Sequence, residues 1–213
     1  MTNQSRPILV GVAGPSGSGK TLLVDNLKQQ LIDSGLSVSI IREDSYYRDQ
    51  SHIEPQARTK TNYDHPDAFE HDLLVAHLAQ LRNKKEVNGP VYQFHTHTRN
   101  TETQLIKPAE VILCDGILIL ADKRVRSEFD LTVFIDAHLD ICLIRRLNRD
   151  LSERGRSIQY TLDQYIQTVR PMYWEFIAPS KDGVDHIVTG GGKNWSAIDA
   201  IKNDIISKLH AFS

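Results

Sequence analysis

Residues 14–21 read Gly-Pro-Ser-Gly-Ser-Gly-Lys-Thr and follow directly on the apolar run Ile8-Leu9-Val10-Gly11-Val12-Ala13. A buried strand, a glycine-rich turn and a helix in that order make a phosphate-binding loop. Gly14, Gly17 and Gly19 lack Cβ atoms, so the backbone between them can curl and aim its N–H groups inward at anionic oxygens, joined by those of Pro15-Ser16 and Ser18 where an N–H exists. Lys20 adds a mobile charge for β- and γ-phosphates, the Thr21 hydroxyl can ligate Mg²⁺, and the helix that begins near Lys20 turns its positive end to the same anion. The pattern predicts a chain that binds a nucleoside triphosphate.

The 213 residues, 40% hydrophobic and 24% charged, suffice for one well-buried α/β core, so a single domain over 1–213 is expected. A net charge of −2 argues against a surface that coats nucleic acid. No run has membrane-spanning length, and the short apolar segment at Ile8 is not a signal-peptide pattern. Cys114 and Cys142 fall in apolar strand and helix patterns and read as core residues of a reducing, cytoplasmic protein. Nine histidines raise the question of a metal cluster, but His71 and His77 do not share a helix face, and His95 and His97 have no nearby Cys or carboxylate partner; zinc is not expected.

Strand and helix patterns alternate along the chain, the mark of parallel βαβ units. Strands are expected at 7–13, 36–41, 111–114, 117–120, 131–135 and 185–188. Helices are expected from the loop to Ser34, with Gly35 as cap, then over 67–82, 138–153, 158–176 and the C-terminal segment. Asn88-Gly89-Pro90 reads as a turn, and 91–99 with 103–106 as a hairpin apart from the parallel core, the insertion covering about 88–108. The 145–165 region reads as a second addition around the site.

Three segments carry acceptor chemistry. Asp44 ends the second strand, where parallel sheets place ligand-facing groups, and either accepts a proton from an attacking hydroxyl or caps the following turn. Asp64 either caps the next helix or accepts two hydrogen bonds from a vicinal diol. Tyr92 and Phe94, expected on one strand face with His97 nearby, suit a flat heterocycle or else cover the core. Arg145, Arg146 and Arg149 fall on one helical surface for which Asp150 and Glu153 are candidate partners. Arg154-Gly155-Arg156 then continues the positive charge across a flexible break, as a closing lid requires.

Together the GPSGSGKT loop, Asp44-Ser45-Tyr46-Tyr47, Tyr63-Asp64-His65-Pro66, Pro90-Val91-Tyr92, His97-Thr98-Arg99, Arg149-Asp150 and Glu153-Arg154-Gly155-Arg156 resemble the uridine (uridine–cytidine) kinase family in its bacterial form, over about Ile8–Asn194. The resemblance implies a P-loop kinase: a central parallel sheet flanked by helices, with a small β-hairpin and a helical lid at about 145–165. It implies transfer of a phosphoryl group from ATP or GTP, with Mg²⁺, to the 5′-hydroxyl of uridine and cytidine in pyrimidine salvage. By the same resemblance Asp44 is the general base and Asp64 holds the ribose hydroxyls. Tyr92, Phe94 and His97 hold the pyrimidine, and Arg146, Arg156 and Gln164 contact the nucleoside or the transferring phosphate. Lys20 and Arg149 join Asp44 in catalysis, Arg154 is a lid residue on the donor, Lys193 passes the donor base, and Thr21 with Asp115 faces the metal. A homotetramer, and partners limited to nucleoside and nucleoside triphosphate, are implied too.

The chain departs from that family pattern twice. Asp115 stands where the family has Glu, one methylene shorter and with less reach towards a metal. Gly190 stands where many members have arginine, which removes a purine-side contact and leaves ATP and GTP both open as donors. Two other readings compete. A GTPase switch lacks its guanine-reading Asn-Lys-x-Asp signature here, since Asn83-Lys84-Lys85-Glu86 only approaches it. A sister kinase of pantothenate or phosphoribulose type would not need the Tyr92, Phe94 and His97 set.

Overall fold

The computed structural model describes residues 6–212. Strand β1 (Ile8–Ala13) leads through the phosphate loop into α1 (Lys20–Asp33), and β2 (Val38–Arg42) follows. A short α2 (Pro55–Arg58) and then α3 (His71–Arg82) precede the hairpin strands β3 (Val87–Gln93) and β4 (Thr98–Ile106). Next come β5 (Val111–Gly116), a short α4 (Lys123–Arg126), β6 (Leu131–Asp136) and α5 (Leu139–Ser152). A long helical segment opens with α6 (Ile158–Gln164) and includes α7 (Arg170–Met172); β7 (His186–Thr189) and α8 (Trp195–Ala211) complete the order.

Five strands form one parallel sheet in the order β2-β5-β1-β6-β7, while β3 and β4 pair antiparallel on their own. Side chains of β1 alternate between the two faces of the sheet. Ile8, Val10 and Val12 meet Leu23, Val24, Leu27 and Leu31 of α1 and Ile198, Ile201, Ile205 and Leu209 of α8 in one fully apolar layer. Leu9 and Ala13 face the other layer, with Ile112, Cys114, Phe134 and the α3 residues Leu74, Leu78 and Leu81. Because both faces are covered, β1 and β5 are buried along their entire lengths, which explains the apolar runs Ile8–Ala13 and Val111–Cys114. Cys114 and Cys142 are buried and free. Among the described residues no helix is long and apolar enough to cross a membrane.

Three expected elements are corrected. The reversal of the hairpin lies at Phe94–His97, not between 91–99 and 103–106, and the expected turn Asn88-Gly89-Pro90 instead runs inside β3, with a register shift between Pro90 and Tyr92. A two-stranded ribbon has free edges, so the missing N–H of Pro90 costs no ladder bond, and His97 closes the turn with φ of 56°. Ile117–Leu120 is buried but not a strand; Glu43 draws the Leu118 N–H away from any ladder at 3.0 Å. The helix expected over 67–82 begins at His71, because Ala68 and Glu70 hydrogen-bond the backbone of Arg48 and Tyr46, and Phe69 bridges to Tyr47. The segment over 158–176 is helical as expected, but widens to π-turns at Tyr165–Val169 and Tyr173–Ile177 on either side of Pro171, which has no N–H to donate.

Ile201 of α8 is fully buried in the apolar layer that α8 shares with α1 and β1. Ile201→Ala should lower the unfolding free energy by about 2–5 kcal/mol in urea denaturation, and leave steady-state constants unchanged at temperatures where the variant is folded.

Candidate active site

The carboxyl ends of β1, β5 and β2 lie side by side, and the loops that leave them line one cavity of about 630 Å³. In the glycine loop, Gly17 has φ of 83°, and a Cβ there would lie 2.4 Å from the Cys142 carbonyl oxygen of α5. No other residue fits. Lys20 folds back so that its ammonium donates to the Gly14 and Pro15 carbonyls at 2.9 and 3.0 Å. Burial lowers the Lys20 pKa, against the pull of Asp115, Asp44 and Glu43.

Asp115 ends β5 in register with Arg42 of β2 and Val12 of β1. Its Oδ2 lies 3.3 Å from Thr21 Oγ1 and 3.1 Å from Arg42 Nη1, and Arg42 also reaches Asp25 at 3.0 Å. Burial pushes the Asp115 carboxyl up to about 6, with Arg42 and Lys20 opposing. A hydroxyl and a carboxylate this close, both hard oxygen donors at the mouth of the phosphate loop, fit a small divalent cation such as Mg²⁺.

Asp44 lies in the 3₁₀ turn Glu43–Tyr46 at the end of β2 and lines the cavity. Asp64 is buried in the same cavity, 3.9 Å from Arg146, and burial raises its pKa against that guanidinium. Neither caps a helix: no side chain caps the 3₁₀ turn, and His65 rather than Asp64 accepts the N–H that opens the turn Pro66–Ala68. Both capping alternatives therefore fall away.

Tyr92 and Phe94 do not share a strand face, because Phe94 is already in the turn; their rings still meet edge to face at 5.4 Å. His97 stacks on Tyr63 at 4.8 Å, and Tyr47 packs against Tyr92 at 4.9 Å. Burial and the positive charges of Arg156, Arg154 and Arg58 lower the His97 pKa, so the ring is neutral at pH 7 and offers one donor and one acceptor nitrogen.

The arginines converge on a single anion. Asp150, fully buried, lies 3.8 Å from Arg146, 3.5 Å from Arg149, 3.5 Å from Arg154 and 3.2 Å from Arg156. Gly155 at φ of 63° turns the chain so that Arg156 comes back to that carboxylate. Arg149 also donates to Ser16 Oγ at 3.2 Å, Arg146 to Gln164 Oε1 at 2.7 Å, and Arg154 lies over the Phe94 ring at 4.5 Å. Lid and hairpin thus touch across the cavity. Arg145 and Arg146 diverge instead of forming one surface: Arg145 is exposed and lies 3.4 Å from the Gly17 and Ser18 carbonyls, while Arg146 is buried.

Ser16, Gly17, Gly19, Lys20, Thr21, Asp44, Asp64, Tyr92, Phe94, His97, Asp115, Arg146, Arg149, Arg154, Arg156 and Gln164 all line this one cavity. Gly14, Pro15 and Ser18 support the loop from behind, and Lys193 is exposed outside the cavity, on a segment whose Gly192 packs against the loop. Arg42, Tyr47, Tyr63 and Ile117 line it without having been singled out from the sequence. Tyr63, an aromatic beside Asp64 in the run Tyr63-Asp64-His65-Pro66, is legible in the sequence; the place of Arg42 depends on the β2–β5 pairing.

Residues 9–196 match the model of the phosphoribulokinase / uridine kinase family. The chain is 47% identical over 208 residues to a protein named uridine kinase from Cronobacter sakazakii, covering 96% of this chain and 98% of that one. Identity is also 47% over 207 residues to a uridine kinase from Histophilus somni, covering 96% and 97%. Among solved structures, phosphoribulokinase from Rhodobacter spheroides superimposes with a TM-score of 0.63 at 16% identity, covering 89% of this chain and 73% of that one. D-glycerate 3-kinase from Cryptococcus neoformans does so with 0.59 at 18%, covering 89% of each. Such distant likenesses bear on the fold alone, which is that of P-loop kinases.

Asp150→Asn should cost about 3 kcal/mol in urea unfolding, since four guanidiniums lose their buried counter-charge. A loss below about 0.5 kcal/mol would show that solvent, not Asp150, balances those arginines.

Proposed function

The chain belongs to the phosphoribulokinase / uridine kinase family, and from that premise we propose that it transfers the γ-phosphate of ATP or GTP to the 5′-hydroxyl of uridine and cytidine. One observation carries this reading: a glycine loop for phosphates, a carboxylate at a strand end and an aromatic cleft with a neutral histidine all face the same cavity.

The donor lies along the loop, its phosphates taken by the N–H groups of residues 14–21, and Lys20 leaves the Gly14 and Pro15 carbonyls for the phosphate oxygens. Thr21 and Asp115 would hold Mg²⁺, which when bound offsets charge on the donor phosphates. Exposed Lys193 follows the glycines that pack on the loop and passes the donor base. The acceptor enters from the hairpin side. Its pyrimidine lies among Tyr92, Phe94, His97 and Tyr63. The two faces of the neutral His97 ring edge, one donor and one acceptor, match either uracil O4 or the cytosine amino group.

Asp64 accepts the ribose 2′- and 3′-hydroxyls, and Arg146 and Gln164, already bonded to each other, border that sugar. This places the 5′-hydroxyl at Asp44, which takes its proton as the oxygen attacks the γ-phosphorus and the bond from that phosphorus to the β–γ bridging oxygen breaks, releasing the nucleoside diphosphate. Charge then spreads over the equatorial oxygens, where Arg149, Arg154 and Arg156 are drawn from their shared carboxylate. Four guanidiniums on one carboxylate leave the lid strongly positive before any anion arrives. A soluble cytoplasmic homotetramer acting in pyrimidine salvage accords with this role.

Asp44→Asn is expected to lower kcat by about 10²–10⁴-fold with little change in the uridine dissociation constant, because general-base help belongs to the transition state. ADP release and calorimetric titration on the same preparation check this; an equal loss in both would assign Asp44 to binding instead. Asp64→Ala should remove discrimination between uridine and 2′-deoxyuridine, read as the ratio of their kcat/KM values, and an unchanged ratio would exclude the diol contact.

A further inference from the structure

Glu43, the residue before Asp44, is fully buried although it is a carboxylate. Its Oε1 lies 2.8 Å from His71 Nε2 at the start of α3, and its Oε2 accepts the Leu118 N–H at 3.0 Å. The other imidazole nitrogen, His71 Nδ1, lies 3.1 Å from Asp122 Oδ2. Both ring nitrogens therefore face carboxylates, an arrangement that uses both N–H donors of an imidazolium. Burial opposes that charge, but the hydrogen bonds with Glu43 and Asp122 outweigh it and raise the His71 pKa.

The packing leaves Glu43 no freedom. A Cβ on Gly116 of β5 would lie 2.3 Å from Glu43 Oε2 and 2.4 Å from its Cβ, so the side chain lies directly over that glycine. Asp122 is fastened in turn, accepting the Arg124 N–H at 2.9 Å and pairing with the Arg124 guanidinium at 2.7 Å. An unbroken series of charged groups thus runs from α4, through the first residue of α3, to the peptide that carries Asp44. None of Glu43, His71 and Asp122 lines the cavity, so none of them touches a substrate.

A buried ionic network is seldom more stabilising than apolar side chains of the same volume; what it adds is direction. Direction matters here, because the turn Glu43–Tyr46 is four residues long and a 3₁₀ turn of that length has little rigidity of its own. We propose that Glu43, His71 and Asp122 are positioning residues that together fix the direction of the Asp44 carboxylate, and so govern turnover without contacting nucleoside or donor. This rests on the reading of Asp44 as general base.

His71→Gln and Asp122→Asn test it, with Ile201→Ala as a control for destabilisation remote from the site. His71→Gln should lower kcat by about 10–100-fold, the scale of a misplacement near 1 Å. KM for uridine and for ATP, and the calorimetric uridine Kd, should stay within about twofold, the signature of an interaction expressed in the transition state alone. Ile201→Ala, similarly destabilised in urea, should retain wild-type kcat. A folded His71→Gln enzyme with kcat within twofold of wild type overturns the proposal, as does a rise in KM that matches the fall in kcat. Should His71→Gln not fold, Asp122→Asn carries the test: a kcat-only loss of about 3–10-fold supports the triad, and unchanged kcat overturns it. The two readings separate cleanly. Full activity in Asp44→Asn refutes Asp44 as base and with it the triad's role; an inactive Asp44→Asn beside a fully active His71→Gln refutes the triad alone.

Discussion

Strand β5 is hydrogen-bonded on both sides, to β1 through Val12↔Asp115 and to β2 through Arg42↔Asp115, and this double pairing sets the geometry of everything above the sheet. Neighbouring strands lie about 4.8 Å apart. The root of the phosphate loop on β1 and the carboxylate at the end of β2 are therefore held roughly 10 Å from each other, a gap that a terminal phosphoryl group and a sugar hydroxyl can fill. Asp115 occupies the strand between them and faces Thr21 across it. Gly116, the next residue, has no side chain, and the space goes to Glu43. One strand thus spaces the phosphate loop from the end of β2, brings Asp115 to Thr21 and makes room for Glu43.

Three of the cavity's carboxylates, Asp115, Asp44 and Asp64, come from strand ends and the loop before α3. Four of its guanidiniums, those of Arg146, Arg149, Arg154 and Arg156, come from α5 and the turn after it and are tethered to Asp150. Such an arrangement is arranged before an anion arrives, so the field needs little reorganisation as charge develops on a transferring phosphoryl group. The desolvation that this requires is visible in the raised pKa values of Asp64 and Asp115 and the lowered ones of Lys20 and Arg154. Strained and buried polar groups that would be a liability elsewhere are concentrated here, as is usual where chemistry is done.

Local patterns read well where a residue's neighbours in sequence are also its neighbours in space. The apolar run before the glycines, the Gly35 stop and the Arg154-Gly155-Arg156 break are of this kind, and each is found where its spacing puts it. Patterns failed where a distant backbone competed. Phe69 carries the right periodicity for α3, yet Tyr46 and Tyr47 capture that stretch with ladder bonds. Asn88-Gly89-Pro90 has turn chemistry, but the pairing of Val87 with Ile106 and Pro90 with Thr103 draws it into a strand. Ile117–Leu120 is apolar enough for a strand and lost its register to a single buried carboxylate.

From its residues alone this chain specifies a phosphate loop between a strand and a helix, an alternating α/β order and the set of charged and aromatic groups around one reaction, because those depend on backbone freedom and side-chain chemistry at short range. Which strand stands between β1 and β2, and that Glu43, His71 and Asp122 join three elements behind Asp44, were decided only by the tertiary structure. Their partners lie far apart in the chain, 51 residues between His71 and Asp122 and 75 between Glu43 and Leu118, and contacts at such separation arise from sheet order and burial, which no local pattern encodes.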